Sequence, residues 1–221
     1  MIDSMTSAAR ELGLSAESTE GRNPFVPLGV SWEKFQQDQS KNFRKMMRKK
    51  QESLENQGRY EVHHEVAPSW HRMQQTVLSV SRESWQGNAG RAIGSTDEGI
   101  EFYRTLCEPN DTFEVHLTSV TSDRLCIAYL VGLVHQGVYY AFDTGYLPEY
   151  AHLSPGLVVH YAVLRELCNR QIRELDFGFD ASYKDRFAPQ YRVYHDVKVF
   201  PDSARMWAWR LAHRVRQRRS E

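Results

Sequence analysis

The chain has no apolar run of about 18 residues or more, which argues against a helix that spans a membrane. Its first residues also lack the basic segment followed by an apolar segment that is typical of a secretory signal. Cysteine is scarce, with three widely spaced residues at Cys107, Cys126 and Cys168. Such spacing offers neither a disulfide framework nor a zinc-binding pattern. We therefore expect a cytoplasmic protein with reduced thiols, without membrane insertion and without a bound metal.

Two nucleotide-binding signatures are missing as well. The glycine-rich stretch WQGNAGRAIG, residues 85–94, has neither a preceding strand nor the Lys-Ser/Thr pair of a P-loop. The triplet Asp176, Phe177 and Gly178 spells the metal-binding motif of protein kinases. No glycine-rich nucleotide loop, strand lysine or His-Arg-Asp loop precedes it. The sequence therefore indicates neither a P-loop nucleotidase nor a protein kinase.

Charge is balanced over the whole chain but unevenly distributed along it. The 28 Lys and Arg residues offset 28 Asp and Glu residues, so the total charge predicts no polyanion partner. Residues 41–50 nevertheless hold six cations, and residues 205–219 hold six more. The first cluster is either a solvated helix face or a rim that attracts a phosphorylated donor. The second predicts a basic amphipathic helix that docks on the domain or on a second copy in a homodimer, or that binds tRNA or a membrane surface.

The length of the chain and its 41% apolar content suit one hydrophobic core and therefore one domain. Residues 1–24 are mostly small and polar, and we interpret them as a flexible tail or a docking segment. The domain is predicted over residues 25–200, and the basic C-terminal helix over residues 201–221.

The residue patterns of the domain predict an α/β (α+β) fold. Ser31–Asn56 is predicted as one or two helices, and residues 59–66 as a strand. Phe113–Tyr146 contains three strands joined by short turns, which predicts an antiparallel meander. With the strands predicted at residues 174–179 and 191–200, this gives a mixed, mostly antiparallel sheet of six to seven strands with helices on both faces.

Most of the candidate chemistry lies between Val138 and Pro189. A strand ends near Thr144, a helical pattern runs over residues 157–168, and a second strand covers residues 174–179. Pro155 suits the first helical turn, with Ser154 as its N-cap. Strand, helix and strand form a βαβ unit, and the backbone N–H groups at such a helix start favour anions. Phosphate or pyrophosphate is therefore the predicted ligand class.

The same stretch resembles the C-terminal core of the GNAT-like acyltransferases of the CelD/BcsL group, which are relatives of the FemAB-like aminoacyl transferases. Three motifs carry the resemblance: a small-Pro-Gly helix start, a strand that ends Asp-aromatic-Gly, and a following Tyr-Lys. In this sequence they are Ser154, Pro155, Gly156, Asp176, Phe177, Gly178, Tyr183 and Lys184. The similarity covers roughly Phe25 to Pro189. Members of the group usually carry another GNAT-like half before the equivalent of Phe25, so the resemblance implies that only the C-terminal half is present.

The resemblance implies an N-acyltransferase that moves an acyl group from a thioester donor to a small-molecule amine. Its architecture implies that the strands 138–144 and 174–179 splay apart, so that backbone groups near Phe142 and Thr144 bind the amide arm of pantetheine. The pyrophosphate would lie at Ser154, Pro155, Gly156 and Leu157. No cofactor would be bound permanently, and acyl-CoA or acyl-phosphopantetheine would be the co-substrate.

The donor stays open in one respect. Coenzyme A-dependent relatives have a glycine-rich loop where this chain has HLSPG, residues 152–156, which offers fewer N–H groups to phosphate. A carrier protein or an aminoacyl-tRNA end could therefore supply the acyl group. An aminoacyl-tRNA-dependent transferase and a non-catalytic partner in a larger assembly are the alternatives.

Amide formation needs a group that takes the proton of the amine and an acid that protonates the departing thiolate. Tyr183 is the predicted acid, because a phenol with a pKa of about 10 can protonate a thiolate. Asp176 is a buried pairing partner of Lys184 or Arg186, or else an orienting group or base. The other catalytic candidates are Asp180, Asp143, Lys184 and His152. His160 is a further candidate base or, in the favoured interpretation, a helix-face residue. Trp85, Arg91 and Phe179 are the predicted substrate contacts.

Overall fold

The computed structural model describes residues 7–9, 11–84, 87, 90, 92–178, 183–188 and 190–201. They belong to two compact units, one of residues 1–23 with 191–221 and one of residues 24–190. Trp85, Arg91, Phe179 and Asp180 lie outside the described residues, and so does the predicted basic helix beyond Pro201.

Five helical segments are described, with short 3₁₀ turns between them. They are α1 (Trp32–Asp38), α2 (Lys41–Glu55), α3 (Trp70–Met73, continued by a π-helical turn Gln74–Leu78 and by Ser79–Glu83), α4 (Asp97–Leu106) and α5 (Pro155–Asn169). The 3₁₀ turns are Ile93–Ser95, Pro148–Leu153 and Lys184–Arg186. Side-chain oxygens of Ser31, Ser40, Ser69 and Thr96 cap α1, α2, α3 and α4 by accepting a backbone N–H, which explains where these helices begin. None of the described helices is both long and apolar enough to cross a bilayer.

Seven strands form the sheet, in the order β2-β3-β4-β5-β6-β1-β7. They are β1 (Leu14–Pro27), β2 (Tyr60–Val66), β3 (Glu114–Ser122), β4 (Leu125–His135), β5 (Val138–Tyr146), β6 (Glu174–Asp176) and β7 (Gln190–Pro201). The pair β5–β6 is parallel, while β2–β3, β3–β4, β4–β5 and β1–β6 are antiparallel. The predicted mixed, mostly antiparallel sheet is confirmed.

The predicted meander is β3, β4 and β5, joined by two-residue turns. Asp123 and Arg124 form the first turn, and Gln136 and Gly137 form the second. All four have positive φ, between 47° and 74°. Positive φ at both central residues is typical of the type I′ turn, whose twist matches that of the flanking strands.

The core of the larger unit includes the apolar residues of the first two helices. Phe35, Phe43, Met47 and Leu54 are buried. Trp32 and Phe43 place their rings edge-on to Tyr161 of α5, at 5.0 and 6.0 Å between centroids. Helices α1 and α2 therefore pack on α5, which in turn packs on the sheet.

The flexible tail predicted for residues 1–24 is wrong from Leu14 onward, because these residues belong to β1. In the smaller unit, β1 faces β7: a Cβ on Gly21 would lie 2.4 Å from the ring of Tyr194, so only glycine leaves room for that ring. The polar residues of β1 lack a clear alternation, and hydrogen bonds to distant strands stabilise them as a strand. The rest of the predicted division into tail, domain and C-terminal helix stays a prediction.

Candidate functional site

The parallel strands β5 and β6 pair over three residues. Val138 pairs with Glu174, Tyr139 with Leu175 and Tyr140 with Asp176, where β6 ends. Strand β5 continues to Tyr146. Beyond Tyr140, the edge of β5 toward β6 has no strand partner among the described residues.

A cavity of about 340 Å³ lies at this open edge. It is lined by Thr144, Tyr146, Ala151, Ser154, Pro155, Gly156, Leu157, His160, Tyr183 and Arg186. Of the residues predicted from the sequence, it brings together Thr144, the helix start 154–157 and Tyr183. Tyr146, Ala151 and Arg186 also line the cavity, although no sequence motif predicted them as ligand-binding residues.

The start of α5 differs from the predicted capped helix in one respect. Ser154 holds the N-cap position, but it adopts a left-handed backbone conformation with φ of 58° and ψ of 48°, and its side chain makes no capping hydrogen bond. Helix starts carry N–H donors without intrahelical partners. Pro155 has no N–H, and Leu157 donates its N–H to the carbonyl of Ser154 at 3.0 Å. The N–H of Gly156 is therefore the donor of this first turn that can reach an anion in the cavity.

His160 lies on the face of α5 that lines the cavity, and its side chain is buried there. It is 3% exposed, and its Nδ1 donates to the carbonyl of Gly156 at 2.6 Å. Phe177 and Phe187 stack on its ring at 5.7 and 5.9 Å. Burial lowers the pKa of His160 to about 4, so the imidazole is neutral at physiological pH. Its spacing of four residues from Gly156, on the same helix face, is the signal that could have placed it here.

Tyr183 lies beside His160 at the other wall. The two rings meet edge-on at 5.7 Å, and Nζ of Lys184 lies 5.7 Å from the centre of the phenol ring. Burial raises the pKa of Tyr183 to about 12. The phenol therefore keeps its proton at neutral pH and can act as a donor.

Asp176 and Lys184 hold the chain on both sides of the segment that precedes Tyr183. Asp176 is buried, as its strand context predicted, and Oδ1 accepts the N–H of Gly178 at 2.7 Å. Gly178 has φ of 69°, a conformation that favours glycine. Nζ of Lys184, which is also buried, donates to the carbonyl of Phe177 at 2.7 Å. Neither charged side chain lines the cavity. Their hydrogen bonds to the backbone therefore suit a role in positioning Tyr183 and not in contacting a ligand.

Asp143 points away from the cavity. Val131 pairs with Asp143 while Gly132 pairs with Ala141, so Phe142 is the extra residue of a β-bulge. The carboxylate of Asp143 is buried and accepts hydrogen bonds from the hydroxyls of Tyr103 in α4 and Tyr129, the latter at 2.7 Å. Thr144, the next residue, faces the cavity on the α5 side, since successive strand residues point to opposite faces.

The bulge also places Phe142 on the α4 side, where its half-exposed ring packs on Phe102 with 5.5 Å between centroids. His152 is exposed in the 3₁₀ turn, and its Nδ1 lies 3.1 Å from the carbonyl oxygen of Glu149. Neither side chain lines the cavity, so a role there for Phe142 would depend on its backbone.

We expect Asp143→Asn to lower the free energy of unfolding by about 2–4 kcal/mol, because a neutral amide replaces the charged acceptor of two buried hydroxyls. Urea denaturation followed by circular dichroism measures this change. The exposed Asp111→Asn serves as the control and should shift stability by less than about 0.5 kcal/mol. Unchanged stability with lost transferase activity would contradict this and favour the catalytic role predicted from the sequence.

A mixed, mostly antiparallel sheet with one parallel strand pair and a cavity at a helix start places the chain among the α/β folds. The chain belongs to the GNAT family, because residues 41–185 match the acetyltransferase (GNAT) domain. The predicted GNAT-like fold is confirmed by this match. The narrower assignment to the CelD/BcsL group and its FemAB-like relatives stays a prediction.

Solved structures agree on the fold. The DUF2156 C-terminal domain of a protein assigned as a lysylphosphatidylglycerol synthetase from Agrobacterium fabrum matches with a TM-score of 0.59 and 11% identity, over 96% of this chain and 69% of that one. L-PGS from Bacillus licheniformis matches with a TM-score of 0.59 and 14% identity, over 99% and 72%. A conserved protein of unknown function from Bacteroides thetaiotaomicron gives 0.56 and 10%, over 81% and 61%. At such low identity the likeness concerns the fold alone. No curated protein matches the chain.

Proposed function

We propose that the protein is an N-acyltransferase that moves an acyl group from a thioester donor to the amine of a small molecule. The observation that carries this proposal is the end of the β5–β6 pairing at Asp176, beside a cavity that Thr144 and Tyr146 of β5 line. An extended arm can add to the open edge of β5 as a further strand would, by hydrogen bonding to its backbone. The amide groups of a pantetheine arm suit this edge.

The start of α5 supports an anionic donor. The N–H of Gly156 and the side chain of Arg186 lie at the same cavity, so a phosphate placed there gains a hydrogen bond and a cation. Members of the GNAT family generally use acyl-CoA as co-substrate, and acyl-CoA is the first donor to test. Acyl-phosphopantetheine on a carrier protein presents the same arm with one phosphate.

In the proposed reaction, the amine nitrogen attacks the carbonyl carbon of the thioester, and the bond between carbon and sulfur breaks. The acyl group leaves as an amide, and the sulfur departs as a thiolate. Tyr183 donates its proton to this thiolate and later recovers one from solvent. The amine loses its proton to water or to a carboxylate, for which Asp180 remains the sequence-based candidate. His160 holds Tyr183 in place by ring contact, while Asp176 and Lys184 fix the backbone before it.

An aminoacyl-tRNA is the alternative donor, as the FemAB-like resemblance implies. The cations of α2 favour it, because Lys41, Arg44, Lys45 and Arg48 line one open groove that could attract phosphates. Transfer that disappears after ribonuclease treatment would support this alternative. Absence of transfer with every donor would favour a non-catalytic partner protein.

We expect Arg186→Ala to weaken coenzyme A binding by about tenfold, since it removes the charge-assisted contact to phosphate. Isothermal titration calorimetry with coenzyme A measures the binding. Arg165→Ala is the matched control, because Arg165 is an exposed arginine of α5 outside the cavity lining. Mass spectrometry of acetyl-CoA with a panel of amines tests the reaction itself. Wild-type protein that binds neither coenzyme A nor acyl-pantetheine would refute the proposed function.

A further inference from the structure

Helix α2 presents a strip of cations along its exposed side. The strip consists of Lys41, Arg44, Lys45, Arg48, Lys49 and Lys50. Four of them line a groove of about 620 Å³ between α1, α2 and α5, and Lys45, Lys49 and Lys50 line a second, shallower surface of about 420 Å³. At about 1.5 Å per residue, the strip extends over roughly 14 Å.

The charges of α2 run against the dipole of the helix. Its first turn contains Lys41 and no acid, and its last turn contains Glu55 and no base. A helix is stabilised by anions at its N-terminus and cations at its C-terminus, by about 0.3–1 kcal/mol each. The arrangement in α2 therefore costs stability, and folding alone gives no reason for it.

The cations of the strip also gain little from neighbours in the chain. Arg48 lies 3.5 Å from Glu52, in an exposed pair of small energetic value. Lys41, Arg44 and Lys45 have no ion pair among the described residues. Three unpaired cations at one helix start raise the local concentration of an anionic partner.

The strip lies next to the donor cavity. Tyr161 lines the groove, and its neighbour His160 lines the cavity, so α5 separates the two. A partner seated on α2 could therefore reach the cavity around the start of α5 with a flexible arm.

We propose that the α2 strip is the docking surface for an acidic acyl carrier protein, which delivers its thioester on a phosphopantetheine arm. This inference rests on the proposed function and names its donor. An acidic helix matches the strip because cations at positions 41, 44, 45 and 48 have the spacing of one helix face. The single phosphate of the arm also suits a helix start whose Pro155 lacks an N–H.

The strip is less suited to the unpaired end of a nucleic acid. Single-stranded bases bind on exposed aromatic rings, which the lining of the groove does not offer. Its aromatic residue, Tyr161, is 7% exposed, and Gln36 donates to its hydroxyl at 3.0 Å. The groove therefore provides charge without a stacking platform.

The test is the double substitution Arg44→Glu and Lys45→Glu in the full chain, with Arg124→Glu as control. All three residues are exposed, and acids near the start of α2 favour the helix, so the variant should fold. We expect affinity for a purified acetylated holo-acyl carrier protein, measured by fluorescence anisotropy at low ionic strength, to fall by about tenfold or more. The control should bind like wild type, and salt should remove the difference, since it screens charges beyond about 8 Å at physiological strength.

A parallel assay with acetyl-pantetheine separates this inference from the proposed function. We expect the double variant to transfer from acetyl-pantetheine at the wild-type rate. If the carrier protein binds the strip but no acyl transfer occurs from either donor, the docking proposal would be supported and the proposed transferase function would be refuted. Equal binding of wild type and double variant, no binding of wild type, or displacement of the carrier protein by tRNA at equal concentration would overturn the docking proposal.

Discussion

Tyr183→Phe should lower kcat of acyl transfer by about 10²–10⁴-fold, with little change in the affinity for the donor. The reason is that the hydroxyl would supply the proton of the departing thiolate. Burial raises the pKa of Tyr183 to about 12, which keeps the phenol protonated but makes it a weaker acid. Phenylalanine keeps the ring contact with His160 and removes only the proton that the thiolate needs. Steady-state kinetics with detection of free thiol would measure the loss.

The leaving group provides a sharper test of this role. An aryl thioester releases a thiolate of low basicity that needs no proton, so the deficit of Tyr183→Phe should shrink toward wild type with such a donor. Tyr150→Phe is the matched control, because Tyr150 is a partly buried tyrosine of the 3₁₀ turn before α5. It should leave the rate of transfer from both donors unchanged. An equal deficit with alkyl and aryl thioesters would mean that Tyr183 acts through packing and not as an acid.

The sequence predicted those parts of the fold that local patterns determine. The meander follows from short turns between β-prone runs, and the βαβ unit follows from apolar periodicity and from Pro155 at the helix start. Strand β1 was not predicted, because its small, polar residues show no alternation of apolar and polar positions. Its partners β6 and β7 also lie far from it in the sequence. Pairing with remote strands is a property of the finished sheet that a local pattern does not record.

In the candidate site, too, local motifs predicted some residues, whereas backbone irregularities hid the roles of others. The helix start 154–157 and Tyr183 line the same cavity. Both belong to short motifs of the predicted βαβ region, Ser-Pro-Gly at the start of α5 and Tyr-Lys after β6. The face of Asp143 could not be read from the sequence, because the extra residue Phe142 interrupts the alternation of β5. Ser154 likewise has the residue type of a cap, but its left-handed backbone keeps the side chain from capping.

Two histidines of neighbouring strands, His64 in β2 and His116 in β3, form a hydrogen-bonded pair. Nε2 of His64 lies 3.2 Å from Nδ1 of His116, whose Nε2 lies 3.2 Å from a carboxylate oxygen of Glu114. Nδ1 of His64 lies 2.7 Å from the hydroxyl of Thr118. Two neutral imidazoles satisfy all these contacts, with Thr118 donating at one end and Glu114 accepting at the other. Glu166 and Arg170 of α5 are the charged groups that act on the pair from above.

Stability should fall steeply as the pH drops from about 6.5 to about 4. Burial lowers the pKa of His64 and of His160 to about 4, and it also lowers that of His116, whereas an unfolded histidine titrates near 6.5. Between these values the unfolded chain binds protons that the folded chain does not, so acid favours unfolding. The fully buried His160 alone should contribute about 3 kcal/mol over this window, and the other two add to it. Urea titrations at a series of pH values would measure the slope.

His64→Asn should make this pH dependence shallower, because it removes one of the buried groups that must charge on unfolding. The exposed His71→Gln is the control and should leave the slope unchanged. Carboxylates with lowered pKa values lose their contribution at lower pH, below the ordinary range of Asp and Glu, so the window above about 4.5 reports the histidines. Stability that stays constant or rises as the pH falls from 6.5 to 4.5 would contradict this prediction, because it would mean that these histidines are already charged in the folded protein. Charged imidazoles at His64 and His116 would break one of the hydrogen bonds that connect Thr118 to Glu114.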